Sequence, residues 1–340
     1  MNNVLLIDSD YEEAKDFVKG LEEATNDKWD VALHENNKVY GIKRYLKFFT
    51  VAWSTFCKRK KFRGKTILCW QQFYGIALSF FCRLFRATKD FNIVIMTFIY
   101  KPKGGIAGKL YYKFVKYAIK SKYVDAIICT SKQEIRLYSE IFKMPEDKFS
   151  FVKWGAVEYV PEEFDDEELK KKNYLFSTGR SNRDYNFLIE AIRDTKYNLL
   201  IACDTIEKVK ESNIEVRDDL FGTDMLRYMK NSKAVVIALD DDKIAAGQLV
   251  LLHAMNLGIP VIITKSHGVT DDYVIDGYNG LIIPKGKQYL YDALEKLDND
   301  EQLYKRLSEN SKKEFRENYT KFVLGKNIGK VVLKAKESNE

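Results

Sequence analysis

The chain alternates between short apolar runs and longer stretches in which apolar residues recur every three or four positions. The first example is the run Val4–Ile7, which an amphipathic stretch from Tyr11 to Glu23 follows. Short runs rich in branched aliphatic residues predict buried strands, and the recurring pattern predicts helices. The alternation continues to Trp154, starts again at Tyr174 and ends in a helical pattern from Tyr319 to Lys336.

Regular alternation of strand and helix is typical of parallel sheets that helices cover on both faces. The mostly charged stretch 158–173 separates the two alternating regions and predicts a linker. A chain of 340 residues is long enough for two domains. We therefore predict an α/β protein with Rossmann-like domains at residues 1–160 and 161–318. The C-terminal helix, at residues 319–340, is predicted to cross back to the first domain.

The two halves differ in charge, although the whole chain carries only +7. Residues 1–160 contain 28 Lys and Arg against 17 Asp and Glu, whereas the remainder contains 28 against 32. The bias is strongest in residues 40–122, where 19 basic residues accompany a single acid, Asp90. Such a bias indicates an anionic partner.

Aromatic residues are interleaved with these basic residues, above all in the predicted helix from Tyr45 to Phe62. A basic amphipathic helix rich in Phe and Trp can lie in a membrane interface. Alternatively, the helix faces the core and its lysine and arginine stems cover the rim. The segment 40–122 therefore predicts either binding to the inner leaflet of a membrane or a solvated basic face. Nucleic acid is a disfavoured partner, because the chain has no recognisable binding motif.

Cysteine spacing and hydropathy argue against several protein classes. The five cysteines are odd in number and contain no CxxC pair, so we expect neither a disulfide framework nor a zinc site. No apolar run reaches the 18 residues of a membrane span, and the N-terminus turns acidic after five apolar residues. The loop Asp8-Ser9-Asp10 lacks the glycines of a dinucleotide fingerprint. We expect a cytoplasmic protein that can associate peripherally with the cytoplasmic face of a membrane.

The stretch from Ala245 to Gly280 carries the most informative pattern. A turn of small residues, Ala245-Ala246-Gly247, precedes a predicted helix from Gln248 to Leu257, which Gly258 ends. A short β-branched strand and a second loop follow. Because helix N-termini offer unpaired N–H groups to anions, this order predicts either a ligand crevice or one more βα unit of a sheet.

Two stretches of the second half resemble glycosyltransferases of the GT-B fold, specifically family 4. The first, YLFSTGRSNRDYNFLIEA at 174–191, is similar to the family's strand, GR loop and following helix. The second contains GQLVLLHAM, GIPVIITKSHGV and DGYNG. These resemble the family's E-x-F-G-x-x-x-x-E-A-M pattern, its G-x-P-V-I-x-T strand and its glycine loops. The motifs occur in the family's order between Tyr174 and Pro284, whereas the first half matches only in architecture.

The resemblance implies two domains that face each other across a cleft. It also implies a metal-independent, retaining enzyme that moves a sugar from a UDP- or GDP-sugar to an acceptor. The donor, which is a substrate and not a cofactor, is expected in the second domain. A lipid-linked or polysaccharide acceptor is expected in the first, where the basic segment 40–122 fits an anionic polyprenyl-linked glycan.

The resemblance also assigns residues to the donor site. Arg180 matches the family's phosphate-binding arginine, and Arg183 lies where the family usually has a lysine. Both can bind the leaving diphosphate, and they are the candidate catalytic residues. A salt bridge at the surface or between domains is the alternative role for Arg180. The other candidate donor-binding residues are Gly179, Gly247, Gln248, Leu249, Val250, His253, Gly268 and Val269.

The chain departs from the family pattern at both of its usual glutamates, which fall on Ala245 and His253. The first glutamate usually contacts the donor sugar, which Ala245 cannot do; the amide of Gln248 is a candidate replacement. A neutral His253 can bond a ribose hydroxyl, and the alternative is a core histidine. His267 is a further candidate near the phosphates. The lost carboxylate motivates a second hypothesis, a non-catalytic homologue that acts as partner or scaffold of an active transferase.

Overall fold

The computed structural model describes residues 2–8, 11–33 and 42–337. The chain divides into two compact units, of which one comprises Met1–Val152 with Lys321–Glu340 and the other Lys153–Thr320. We refer to them as the first and the second domain. Ser9, Asp10 and His34, which belong to the predicted first loop and second strand, lie outside the described residues.

The first domain is built on a six-stranded parallel sheet. Its strands are β1 (Asn3–Ile7), β2 (Trp29–Leu33), β3 (Thr66–Cys69), β4 (Asn92–Ile95), β5 (Val124–Cys129) and β6 (Phe149–Phe151). The helices between them are α1 (Tyr11–Thr25), α2 (Ile42–Cys57), α3 (Gln72–Leu84), α4 (Gly105–Ile119) and α5 (Lys132–Phe142). The strand order is β2-β1-β3-β4-β5-β6.

The apolar run from Asn92 to Tyr100 predicts a strand over its whole length, but the strand ends at Ile95. Thr97 has a φ of 58°, a left-handed conformation that a β-branched residue rarely adopts. Its hydroxyl donates to the carbonyl of Trp70 at 3.0 Å, which holds the turned backbone against the end of β3. The apolar run therefore continues past the strand into the loop at the carboxyl edge of the sheet.

The second domain repeats the architecture. Its elements are α6 (Glu167–Lys171), β7 (Tyr174–Thr178), α7 (Tyr185–Ile192), β8 (Asn198–Ala202), β9 (Ile214–Arg217), α8 (Gly222–Lys230), β10 (Ala234–Ile237), α9 (Gln248–Leu257), β11 (Val261–Thr264), α10 (Thr270–Tyr273), β12 (Leu281–Ile283), α11 (Lys287–Asn299) and α12 (Glu301–Asn318). All strand pairs of its sheet are parallel, in the order β12-β11-β10-β7-β8-β9. Neither edge strand, β9 or β12, is predicted from the hydrophobic pattern; in β9 the charged residues Glu215 and Arg217 interrupt the apolar run.

The prediction of a linker at 158–173 is wrong. The stretch contains a 3-10 turn from Pro161 to Phe164 and the helix α6, which Asp166 caps by accepting two backbone N–H groups. Phe164 and Leu169 are buried in the core of the second domain. Two well-placed apolar side chains are enough to anchor a stretch whose charged residues stay in solvent.

The C-terminal helix α13 (Lys321–Glu337) packs on α1 of the first domain. The two helices touch through their backbones. A Cβ atom on Gly325 would lie 2.0 Å from the carbonyl oxygen of Phe17, and one on Gly20 would lie 2.0 Å from that of Phe322. Glycine is therefore required at both positions, and this close approach ties the end of the chain to the first domain.

Candidate functional site

The carboxyl edge of the second sheet brings together the loops that follow β7 and β10. Asn182, in the first loop, donates from Nδ2 to the carbonyl of Asp241 and accepts its N–H, both at 2.8 Å. The N–H of Asp184 donates to the carbonyl of Ala238 at 3.0 Å. Since ligands of open α/β sheets bind at this edge, the two motifs of the sequence meet where a site is expected.

Arg183 lies at the centre of this edge and is partly buried. Its Nε donates to the carbonyl of Thr178 at 3.0 Å and its Nη1 to that of Ser181 at 2.9 Å. The guanidinium occupies the space that a side chain on Gly179 would need, since a Cβ there would lie 2.7 Å from Nη2. A Cβ on Gly247 would lie 3.4 Å from Nη1 and Nη2.

The charge of Arg183 has no carboxylate partner among the residues that the structure describes. Burial lowers the pKa of Arg183, but an arginine stays protonated at any working pH. Two of its N–H groups donate to backbone carbonyls, and a guanidinium has five. The remaining donors and the uncompensated charge suit an anion.

Arg180 is exposed and its charge is already paired. Its Nε donates to Oδ1 of Asp204 at 2.6 Å, and its Nη2 contacts the other carboxylate oxygen. The pair raises the pKa of Arg180 and lowers that of Asp204. The guanidinium carbon also lies 6.0 Å from the ring centroid of Phe221. Because exposed ion pairs are weak, Arg180 can leave Asp204 for a stronger anion.

Helix α9 begins beside Arg183. Gly247, with a φ of 109°, precedes the helix and provides no side-chain cap. The first bond of the helix runs from the N–H of Leu251 to the carbonyl of Gly247 at 3.0 Å. The N–H groups of Gln248, Leu249 and Val250 therefore lie at the positive end of the helix dipole. Gln248 itself is buried.

The loop after β11 is held tightly against the loop before α9. A Cβ on Gly268 would lie 2.6 Å from the carbonyl carbon and oxygen of Ile244. The N–H of Gly268 donates to the carbonyl of Asp242 at 3.1 Å, and Val269 is fully buried. A ligand phosphate would have to displace the Asp242 carbonyl to use this N–H group.

A cavity of 590 Å³ opens next to these two loops. His267, which is exposed, borders it with Nδ1 2.8 Å from a carboxylate oxygen of Asp271. The other lining residues are Asp242, Lys265, Thr270, Val274, Asp276, Ile282, Ile283 and Pro284. The volume and the converging polar groups suit a small polar ligand. Among the described residues, no three His, Cys, Asp or Glu side chains are arranged to hold a metal ion.

His253 is half-buried on α9, and its ring centroid lies 5.9 Å from that of Tyr159. The N–H of Tyr159 donates to the side chain of Asn256 at 2.8 Å, one helical turn further along. His253 thus packs against a segment of its own domain, as the core-histidine alternative expects. Its role at a ribose stays a prediction.

Residues 160–314 match the model of the family Glycosyl transferases group 1. The second domain is a group 1 glycosyltransferase domain. The uncharacterized glycosyltransferase MJ1178 of Methanocaldococcus jannaschii is 27% identical over 235 residues, which are 62% of this chain and 58% of that protein. The match thus spans less than two thirds of the relative's length.

Solved structures resemble the chain over almost its whole length. Sucrose-phosphate synthase from Thermosynechococcus elongatus is 13% identical and covers 99% of this chain and 100% of its own, with a TM-score of 0.70. HepE (Alr3699) from Anabaena, in complex with UDP, is 12% identical and covers 98% and 100%, with a TM-score of 0.67. The expected α/β fold of the GT-B type is therefore confirmed.

Three residues of this edge were not predicted from the sequence. Asp204 lies two residues after the end of β8, and Phe221 lies between β9 and α8. Since β9 was not predicted, nothing placed Phe221 at the edge of the sheet. Asp242 ends a run of three acids before α9, and that run is the signal in the sequence that marks it.

Proposed function

We propose that the protein transfers a sugar from a nucleotide-sugar to an acceptor and binds the donor at the carboxyl edge of its second sheet. The group 1 domain supports the reaction class. The observation that carries the proposal is Arg183, a partly buried guanidinium without a carboxylate partner in the described chain. A fixed cation here stabilises the negative charge that grows on the diphosphate as the sugar leaves.

The strand order suggests how the donor lies. From β11 to β9 the edge presents the cavity, Gly247, Arg183, Arg180 and Phe221 in turn. We assign the sugar to the cavity side, the diphosphate to the two arginines and the base to the exposed ring of Phe221, since bases stack on aromatic faces. Complexes of HepE with UDP and with UDP-glucose support a uridine donor over a guanosine one.

The proposed reaction needs no protein nucleophile. The bond between the anomeric carbon and the phosphate oxygen breaks, and a bond from that carbon to the acceptor oxygen forms. The acceptor proton passes to the leaving phosphate, which Arg183 and Arg180 hold. If the acceptor enters on the face that the phosphate leaves, the anomeric configuration is retained. We propose that the reaction is metal-independent.

The proposed acceptor is a lipid-linked glycan or a polysaccharide, bound by the first domain. The basic segment 40–122 supports an anionic acceptor, because 19 basic residues accompany one acid. WaaG, a glycosyltransferase involved in lipopolysaccharide biosynthesis, shares the fold at 13% identity and a TM-score of 0.62. We propose that the protein works at the cytoplasmic face of a membrane.

The test is a panel of UDP- and GDP-sugars with the purified protein, in which release of nucleoside diphosphate and product mass are measured with and without a chelator. Arg183→Ala and Arg180→Ala are each expected to abolish nucleotide binding without unfolding the protein. Arg193→Ala is the matched control, because this arginine pairs with Glu190 away from the edge. A protein that neither binds a nucleotide nor turns over any donor would contradict the proposal.

Ala245 favours one alternative, a non-catalytic homologue that serves an active transferase as partner or scaffold. A methyl side chain stands here where the family carries the carboxylate that contacts the sugar. Calorimetry separates the two functions. Nucleotide binding without turnover of any donor, together with co-purification of an active transferase, favours the scaffold.

A further inference from the structure

The first domain exposes a continuous apolar surface on the outer sides of α2, α3 and α4, which we call the three-helix face. Its exposed members include Leu46, Trp53, Phe85, Ile106, Leu110 and Tyr117. Ile106 is 80% exposed and Leu110 is 62% exposed. Side chains of this kind in solvent cost free energy, so their grouping on three neighbouring helices indicates a surface that is covered in use.

Ring contacts join the three helices into one surface. The ring of Trp53 on α2 lies 5.6 Å from that of Phe85, the residue after α3. Phe49 on α2 lies 5.7 Å from Phe114 on α4. The exposed large hydrophobic side chains of the second domain lie instead on separate elements, such as Ile275 after α10 and Tyr289 on α11.

The rim of the three-helix face is cationic and has almost no acids near it in sequence. Lys58, Lys60 and Lys61 follow α2, and Lys109 and Lys113 lie on α4; all five are exposed. None of the five forms an ion pair with any residue that the structure describes. An apolar centre inside a cationic rim complements a surface of anionic headgroups over acyl chains.

We propose that the three-helix face docks on an anionic lipid bilayer. The aromatic and aliphatic side chains enter the boundary between headgroups and acyl chains, and the lysines bind lipid phosphates. No helix in the described ranges has the length and hydrophobicity to cross a bilayer. The docking deepens the proposed function but does not depend on sugar transfer.

The docked face includes one end of the first sheet. The carboxyl end of β4 leads into the loop with Lys101 and Lys103, and α4 then begins one residue before Ile106. Ligands of open α/β sheets bind at this edge. If the proposed function holds, a lipid-linked acceptor reaches the first domain from the bilayer surface without leaving it.

The test is flotation of the full chain with vesicles of phosphatidylcholine, alone or mixed with phosphatidylglycerol. The apolar variant carries Leu46→Gln, Ile106→Gln and Leu110→Gln, and the charge variant carries Lys60→Gln and Lys109→Gln. The control carries Ile275→Gln and Tyr289→Gln, which remove two exposed hydrophobic side chains from the second domain.

We expect binding to the mixed vesicles only. The charge variant should lose about fivefold in partitioning for each lysine, and the apolar variant about tenfold or more in total. The control should bind like the unmodified chain. Circular dichroism shows that each variant is folded.

Equal partitioning of all variants would overturn the proposal. So would a charge variant that binds weakly beside an apolar variant that binds normally, because the lipid would then touch only the lysines. If the apolar variant changed the sedimentation of the protein without vesicles but floated like the unmodified chain, the three-helix face would be an interface between protein chains. Flotation without sugar transfer contradicts the proposed function alone, and transfer without flotation contradicts the docking alone.

Discussion

The two domains share a six-stranded parallel sheet but place their charge differently. In the first domain, Lys60 and Lys109 flank an apolar face and have no carboxylate partner in the part of the chain that the structure describes. In the second domain, Arg180 at the carboxyl edge is paired with Asp204, whereas Arg183 beside it has no carboxylate partner among the described residues. Many exposed cations attract an extended anionic surface, whereas one positioned cation recognises a group of defined shape.

The two domains also differ in how they accommodate a buried charged side chain. Glu134 of α5 is buried without a cationic partner among the described residues, and Arg183 is partly buried without an acid. The Glu134 carboxylate accepts the N–H and the hydroxyl of Thr130 and the hydroxyl of Tyr138. Its bonds are thus made within the fold, while Arg183 keeps donors for a ligand.

The largest expected effect concerns what holds the first domain together. Gly325→Ala forces α13 away from α1, because the new Cβ would overlap the carbonyl of Phe17. We expect a loss of about 3 kcal/mol in the free energy of unfolding, measured by urea denaturation. Gly104→Ala, where nothing lies within 4 Å, should change stability little. Equal effects of the two variants would contradict the close packing of α13.

The next prediction concerns the buried carboxyl of the first domain. Burial raises the pKa of Glu134 to about 7, above its usual value of 4.5. Between these values the folded chain holds a proton that the unfolded chain has lost, so stability falls as pH rises from 5 to 7. The expected fall is about 2 kcal/mol, and Glu134→Gln should remove it. Urea denaturation measures the free energy of unfolding of both proteins as a function of pH. If it fell equally with pH in the unmodified chain and in Glu134→Gln, another group would be responsible for the titration.

The smallest expected effect concerns the nucleotide base, which we assign to Phe221 of the second domain and not to the arginines that bind the phosphates. Phe221→Ala removes the exposed ring beside Arg180 and should weaken nucleotide binding about tenfold, as for loss of one stacked base. Phe221→Tyr keeps the ring and should bind normally. Isothermal calorimetry with UDP measures both, and flotation of the two variants should not differ. If Phe221→Ala bound UDP as tightly as the unmodified chain, the base would not bind at Phe221.

Much of the fold could be predicted because strands and helices bury their side chains with different periods. The pattern placed α9 with the residues that the structure gives it. It did not mark the edge strand β12, and it failed at 158–173, where Phe164 and Leu169 anchor a charged stretch. The motifs placed Arg180 and Arg183 in one loop without showing which of the two is paired.

The sequence by itself determined the alternation of elements, the order of the motifs and the charge bias of segment 40–122, because each is a property of neighbouring residues. Tertiary structure alone decided that Arg180 meets Asp204 and that Arg183 lies against Gly247. It also grouped Trp53 and Phe85 into one apolar surface. These contacts join residues from different strands and helices. They depend on how the sheet orders its strands and the helices pack, which no local pattern in the chain encodes.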